Sequence, residues 1–200
     1  DNARKWLLLG CLLGQRGGDL LDLTESNFVQ HIDGVEYVQL KQQKTGKKVN
    51  IPLVGDLEEI NTIRQSGLPY KISVQKLDKY IKQVCKLAGI TELVEHSKVC
   101  MVDAEGNIIE QDEKGNYTSK GVKRTVKGVF EKWQLVGSHT CRRSFATNLY
   151  LMNFPTLSIM KITGHSTEAS FLKYIKVTPK EHAEKLLAHW EAYYKEKAPN

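Results

Sequence analysis

Histidine and arginine stand three apart in the segment Gly137-Ser138-His139-Thr140-Cys141-Arg142-Arg143. On a helix that spacing puts both side chains on one face. Two donors side by side suit the nonbridging oxygens of a phosphate, and a guanidinium keeps its charge at any working pH. Taken alone, such a pair also serves as a plain solvated basic face. Downstream, Ile162-Thr163-Gly164-His165-Ser166 carries a second histidine, and Tyr174 stands nine residues beyond it in Phe171-Leu172-Lys173-Tyr174-Ile175. A tyrosine at a helix end is ordinarily a half-buried packing residue. Its phenol, with a reference pKa of about 10, becomes a nucleophile only with base assistance or in an electropositive pocket.

Taken together, His-x-x-Arg, then Gly-His, then Tyr at nine residues resembles the C-terminal half of the tyrosine recombinase (phage integrase) signature. That resemblance asks for an earlier arginine and lysine, and both are present. Leu13-Gly14-Gln15-Arg16-Gly17-Gly18-Asp19-Leu20-Leu21-Asp22-Leu23 resembles the family's first arginine box, with Asp19 in the acidic place three positions on. Gln43-Lys44-Thr45-Gly46-Lys47-Lys48-Val49-Asn50-Ile51-Pro52-Leu53 resembles the β-turn lysine segment, which ends in Ile-Pro-Leu. Two departures stand out. Gln15 precedes Arg16 where many members have Leu or Met, and the stretch from Gly89 to Gly137 exceeds the family minimum. The wording around His139, Gly164 and Tyr174 looks closest to integrases of mobile elements in Bacteroides-like bacteria.

The resemblance implies DNA strand exchange through a 3′-phosphotyrosyl intermediate, with neither metal nor cofactor. Arg16 and Arg142 would clamp the scissile phosphate, and His165 would donate a further hydrogen bond to it. Tyr174 would attack phosphorus, His139 would fill the assisting-base place, and Lys44 would protonate the departing 5′-oxygen. It also implies double-stranded DNA as partner, DNA integration as outcome, and self-association on DNA as a synaptic tetramer through the C-terminal helix. Residues 1–200 are expected to form a single catalytic domain of a longer integrase that lacks its N-terminal DNA-binding domain. The expected location is the bacterial cytoplasm, at the nucleoid. A type IB topoisomerase shares this chemistry, and an inactive DNA-binding regulator of integrase ancestry shares the binding.

These groups need a frame, and the patterning predicts one that is mainly α with a small three-stranded antiparallel sheet. Helices are expected over Ala3–Leu13, Asp19–Leu23 (capped by Asp19), Asp56–Gln65, Ser73–Leu87, His139–Met152, Pro155–Ile162, Thr167–Tyr174 and Pro179–Lys195. The strands lie within Phe28–Leu53, turned at Asp33-Gly34 and at Lys44-Thr45-Gly46-Lys47. Thr91–Lys132 is poorly periodic and reads as an irregular or β-hairpin excursion, with turns at Asp103–Asn107 and Lys114-Gly115-Asn116. Its basic residues Lys120, Lys123, Arg124 and Lys127 suit either DNA contact or a solvated loop. The last helix carries an apolar stripe of Ala183, Leu186, Leu187, Trp190 and Tyr194, suited to a neighbouring protomer or to the chain's own core.

The bulk numbers agree with this. The 200 residues suffice for a real core, and 40% apolar with 26% charged disfavours disorder. A net charge of +6 permits a polyanionic partner. The four cysteines form no C-x-x-C pair and read as free thiols. The apolar run Trp6–Leu13 is too short to cross a bilayer.

Overall fold

The structure is a computed structural model that describes residues 1–31, 34–53, 58–112, 116–175 and 177–197. Backbone contacts divide it into two compact units, one of Asp1–Ile81 with Gly137–Asn200 and one of Lys82–Val136.

In the first unit, helix α1 (Asn2–Leu13) turns Trp6, Leu9 and Leu13 into the core. That spacing places all three on one stripe. Gly14 ends the helix in the left-handed conformation at φ 63°, and its N–H reaches back to the Gly10 carbonyl. The short helix α2 (Gly17–Leu21) follows, with Arg16 in extended conformation at its N-cap. Asp19 therefore does not cap this helix. It lies one turn in, because the chain already turns helical at Gly17, and its Oδ1 instead accepts from the Gln43 N–H at 2.8 Å.

A three-stranded antiparallel sheet comes next, in the order β1 (Phe28–Gln30), β2 (Glu36–Lys41), β3 (Lys48–Leu53). Val38, Val49 and Ile51 supply its buried side, and Pro52 is tolerated because β3 is an edge. The Lys41↔Lys48 pair closes the β2–β3 ladder. Gln42 N–H then donates to Lys47 O at 2.9 Å, and Gly46, at φ 66°, donates to Gln42 O at 2.8 Å. This tight turn carries Lys44 at its exposed tip. Helix α3 (Glu58–Gln65) follows. Its expected start at Asp56, Asp33 of the expected β1–β2 turn, and Lys114-Gly115 all lie outside the described residues.

Helix α4 (Val74–Leu87) is capped by the Ser73 hydroxyl, which accepts from Lys76 N–H at 3.2 Å. The second unit then holds a long antiparallel pair, β4 (Leu93–Val102) with β5 (Val122–Glu131), and the single turn α5 (Lys132–Leu135). Cys100, Val102 and Phe130 form its small core, with Val126 and Leu135 against them.

Back in the first unit, helix α6 (Ser138–Leu151) packs on α1. The approach is close: a Cβ on Gly10 would stand 2.9 Å from Cys141 Cβ, and one on Gly14 would stand 2.2 Å from the Phe145 ring. Helix α7 (Thr156–Thr163) starts just after Pro155 and stops at Gly164, left-handed at φ 65°. Helix α8 (Glu168–Tyr174) is capped by Thr167, whose hydroxyl accepts from Ser170 N–H. Phe171 of α8, Ile159 and Met160 of α7, and Ala146 of α6 share one buried cluster. Helix α9 (Pro179–Lys197) opens with a capping box in which Thr178 and Glu181 serve each other's N–H groups. The apolar stripe of α9 is not taken up by the chain's own core: Leu186, Leu187, Trp190 and Tyr194 are exposed.

Gly14→Ala tests the α1–α6 approach. Left-handed strain and overpacking against Phe145 together predict a loss of about 2–4 kcal/mol in urea unfolding. Gly67→Ala, also at positive φ but in open space, should lose only about 1 kcal/mol. Equal losses would refute the packing argument.

Candidate active site

Two buried amides lie at the centre of the site. Gln42, fully buried in the β2–β3 turn, donates from Nε2 to Gln15 Oε1 at 2.9 Å and to the Ile162 carbonyl at 3.0 Å. Its Oε1 accepts from Thr45 Oγ1 at 2.9 Å and from Arg16 Nη1 at 3.4 Å. Gln15, equally buried, donates to Leu13 O at 2.9 Å and Ile162 O at 3.2 Å. The turn bearing Lys44, the loop bearing Arg16 and the end of α7 just before His165 are thus tied by one hydrogen-bonded knot. Gly164 is required here, because a Cβ at that position would fall 2.3 Å from Gln42 Oε1.

Arg142 lies in the first half of α6 and is almost wholly buried, with 2% of its surface exposed. Its Nη1 donates to the Gly14 carbonyl at 3.0 Å, an oxygen left open by the left-handed end of α1. Arg16 projects from the next turn of chain, with Nη1 4.0 Å from Asp19 Oδ2. That carboxylate oxygen is buried and has no hydrogen-bond partner among the described residues, so it acts on Arg16 through charge. The two guanidinium groups feel each other. Burial and then the Arg16 charge lower the Arg142 pKa to about 10, which leaves it protonated at neutral pH.

Tyr174, the last residue of α8, is brought to these cations. Its hydroxyl donates to the His139 carbonyl at 3.3 Å. Burial raises its pKa, while the charges of Arg142, Arg143 and Arg16 and a hydrogen bond from Arg142 pull it down. The ring packs beside His165, centroids 4.8 Å apart, and the Arg143 guanidinium lies 5.3 Å from the ring centre. His165 is held through Nδ1, 2.8 Å from the Thr163 hydroxyl. That hydroxyl donates its one proton to Ile159 O at 2.6 Å, so it accepts from Nδ1–H, and the neutral ring leaves Nε2 unprotonated. Burial, then Arg142 and Arg16, lower the His165 pKa to about 4.

Four of the six expected site residues therefore sense one another: Arg16, Arg142, His165 and Tyr174. The other two stand differently. Lys44 is exposed and has no side-chain partner among the described residues. The exposed His139 reaches Tyr174 through its backbone carbonyl. Three residues that the sequence reading left without a site role also belong here. Gln15 registers there only as a departure, Gln42 is not singled out, and Arg143 appears only as the neighbour of Arg142. Gln15 carried the one usable signal, an amide where an apolar residue is usual.

The sequence matches the Phage integrase family over residues 3–181. The chain belongs to the phage integrase family. Its mainly helical fold with a small three-stranded sheet is the tyrosine recombinase catalytic-domain fold, and DNA recombination is the process with which the family is associated. Among solved structures, it is similar to XerH site-specific recombinase in a post-cleavage complex with a palindromic difH substrate. That match has 17% identity and a TM-score of 0.57, covering 94% of this chain and 46% of that one. XerA recombinase matches at 14% identity and a TM-score of 0.56, covering 94% of this chain and 63% of that one. A lambda integrase dimer bound to a COC′ core site matches at 17% identity and a TM-score of 0.53, covering 88% and 52%. At such identities the likeness shows the fold. This integrase-family chain spans about half the length of the first recombinase structures it matches. No curated protein matches it. Among the described residues, no helix is long and apolar enough to cross a membrane.

Two predictions follow from this geometry. Gln42→Ala strands buried partners and should cost about 2–3 kcal/mol in urea unfolding, whereas the exposed neighbour Gln43→Ala should cost under about 0.5 kcal/mol. Equal effects would show that the buried knot carries no weight. The second concerns acid. Between pH 6.5 and about 4 the unfolded chain protonates this imidazole while the folded chain does not. Stability should therefore fall as pH drops through that window, and His165→Gln should flatten the fall. An identical acid profile in the variant would contradict the lowered pKa.

Proposed function

We propose that this chain is the catalytic domain of a site-specific DNA recombinase, cleaving and rejoining strands through a 3′-phosphotyrosyl link in the service of DNA integration. The supporting observation is the convergence of the Tyr174 hydroxyl, the Arg16 and Arg142 guanidiniums and His165 in one electropositive pocket within a single polypeptide.

The reading assigns each group a role. Arg16 and Arg142 bind the nonbridging oxygens of the scissile phosphate and offset charge that grows on them in the transition state. Tyr174 Oη forms a bond to phosphorus as the bond to the 5′-oxygen breaks. The tyrosyl proton leaves toward base, a role assigned here to His139. Lys44, on its exposed turn, delivers a proton to the departing 5′-oxygen. The products are a 3′-phosphotyrosyl ester and a free 5′-hydroxyl, and attack by a 5′-hydroxyl from a partner strand reverses the step. Bond energy is kept in the ester, so no nucleotide cofactor enters. His165 Nε2 becomes a donor to the phosphate once the ring is protonated, which the arriving anion favours by offsetting the two arginine charges.

The same reading takes residues 1–200 as one catalytic domain and double-stranded DNA as its partner, in the cytoplasm of a bacterium at its nucleoid. It assigns the exposed stripe of α9 to a second protomer on DNA. The XerH and lambda structures are DNA complexes, one of them a lambda integrase tetramer on a Holliday junction.

The test of catalysis is a suicide DNA substrate carrying a candidate attachment sequence, run on a denaturing gel. A covalent protein–DNA band is expected. It should vanish in Tyr174→Phe and fall by at least about a hundredfold in Arg142→Ala. Lys44→Ala should be slow on an ordinary substrate, yet regain cleavage when sulfur replaces the 5′-oxygen, since a thiolate leaves without a proton. A wild-type chain that binds its cognate site yet forms no covalent band would make the protein a binding regulator. Leu187→Asp with Trp190→Asp should abolish synaptic complexes on native gels and leave the covalent band intact. Unchanged synapsis would remove α9 from the assembly.

A further inference from the structure

The β4–β5 pair is a ribbon of ten facing residue pairs with no third strand beside it among the described residues, only an isolated bridge from Val102 to Ile108 at one end. At roughly 3.4 Å per residue it extends about 30 Å. Directly opposed residues share a face, so the register divides the ribbon in two. One face carries Cys100, Val102, Val126 and Phe130 and is used by the unit's own core. The other carries Ser97 opposite Lys127, Val99 opposite Thr125 and Met101 opposite Lys123. Ser97, Thr125, Lys123 and Lys127 on it are exposed, and Val99 is 61% exposed.

Charge on this unit is sorted. Lys132 is paired with Glu92, Lys98 reaches Gln134 and lies over the Phe130 ring, and Lys86 lies over Trp133. The side chains of Lys120, Lys123, Arg124 and Lys127, by contrast, have no ion-pair or hydrogen-bond partner among the described residues. No acid interrupts the sequence from Lys120 to Phe130. The acids near the open face sit at its two ends, Glu95 and Glu131 at one and Asp103 and Glu105 at the other. The middle of the face is therefore cationic, with hydroxyls and a β-branched methyl between the cations.

We infer that this open face is a second DNA-contacting surface, lying against a groove of the duplex with Lys123 and Lys127 on phosphates. A two-stranded ribbon is an element that the major groove admits. Lys123 and Lys127 are separated by about 14 Å along β5, comparable to the roughly 12 Å groove width, so they can meet phosphates on opposite borders. Thr125, Ser97 and Val99 then face the base edges, where hydroxyls meet either kind of base pair and methyl groups meet thymine. The inference rests on reading the chain as a DNA recombinase.

The experiment is the salt dependence of binding to a duplex carrying a candidate site, measured for the full chain and for Lys123→Gln with Lys127→Gln. Each lost phosphate contact lowers the slope of log affinity against log salt by about 0.9, so the double variant should lose about 1.8. Lys123→Arg with Lys127→Arg should keep the wild-type slope. Wild-type binding with an unchanged slope in the glutamine variant would overturn the ribbon contact alone. So would an unchanged slope with lost self-association in sedimentation, which would mark the face as a protein interface. A wild-type chain that binds no DNA would overturn this inference together with the recombinase reading.

Discussion

Two guanidinium groups, those of Arg16 and Arg142, are held near each other in a partly dry pocket. Burial first, and then the like charge of Arg16, lower the pKa of Arg142 and so oppose this arrangement. Most of the surrounding structure can be understood as what keeps the pair in place without an anion. Arg142 is fixed by a carbonyl that the end of α1 leaves free. Arg16 is steadied by the buried Asp19 carboxylate and by Gln42. Neither cation depends on a flexible surface ion pair, which would add little. The pocket is therefore organised before a phosphate enters, and preorganised charge is effective because nothing has to turn during the reaction.

The backbone features that permit this are few and specific. Gly14 gives the left-handed turn that exposes the carbonyl to Arg142 and lets the Phe145 ring lie against the chain. Gly164 lets α7 stop against the Gln42 amide, which sets His165 beside Tyr174. The amides of Gln15 and Gln42 satisfy carbonyls at the ends of α1 and α7 that would otherwise be buried unpaired. Two apolar side chains could fill that volume, yet they could not meet Ile162 O or orient Arg16.

Much of this was legible in the sequence because it is local. The three-residue spacing of His139 and Arg142 is a helix property, and Lys44 sits in a turn announced by Thr45-Gly46-Lys47. The nine residues from His165 to Tyr174 hold a cap and two helical turns. What was not legible depends on contacts far apart in the chain. Nothing near Gln42 signals that it is buried, since its partners are 27 and 120 residues away. Asp19 looks like a cap until the turn at Gln43 claims it. The β4–β5 ribbon is poorly periodic because Lys98 covers an aromatic on the inner face and Gly128 stands where an apolar residue would mark the pattern. The exposure of the α9 stripe is equally a property of the packed chain, not of the helix.

In the proposed mechanism the pocket is an excess of positive charge waiting for one phosphodiester. His165 reports that excess directly, because its low pKa comes from burial together with Arg142 and Arg16. The decisive measurement is the NMR titration of the His165 ring in Tyr174→Phe, free and bound to an uncleaved duplex. An anion seated between the arginines should raise the midpoint from about 4 by a unit or more. A midpoint that stays near 4 in the saturated complex would mean that no phosphate sits there, and the proposed site would be wrong.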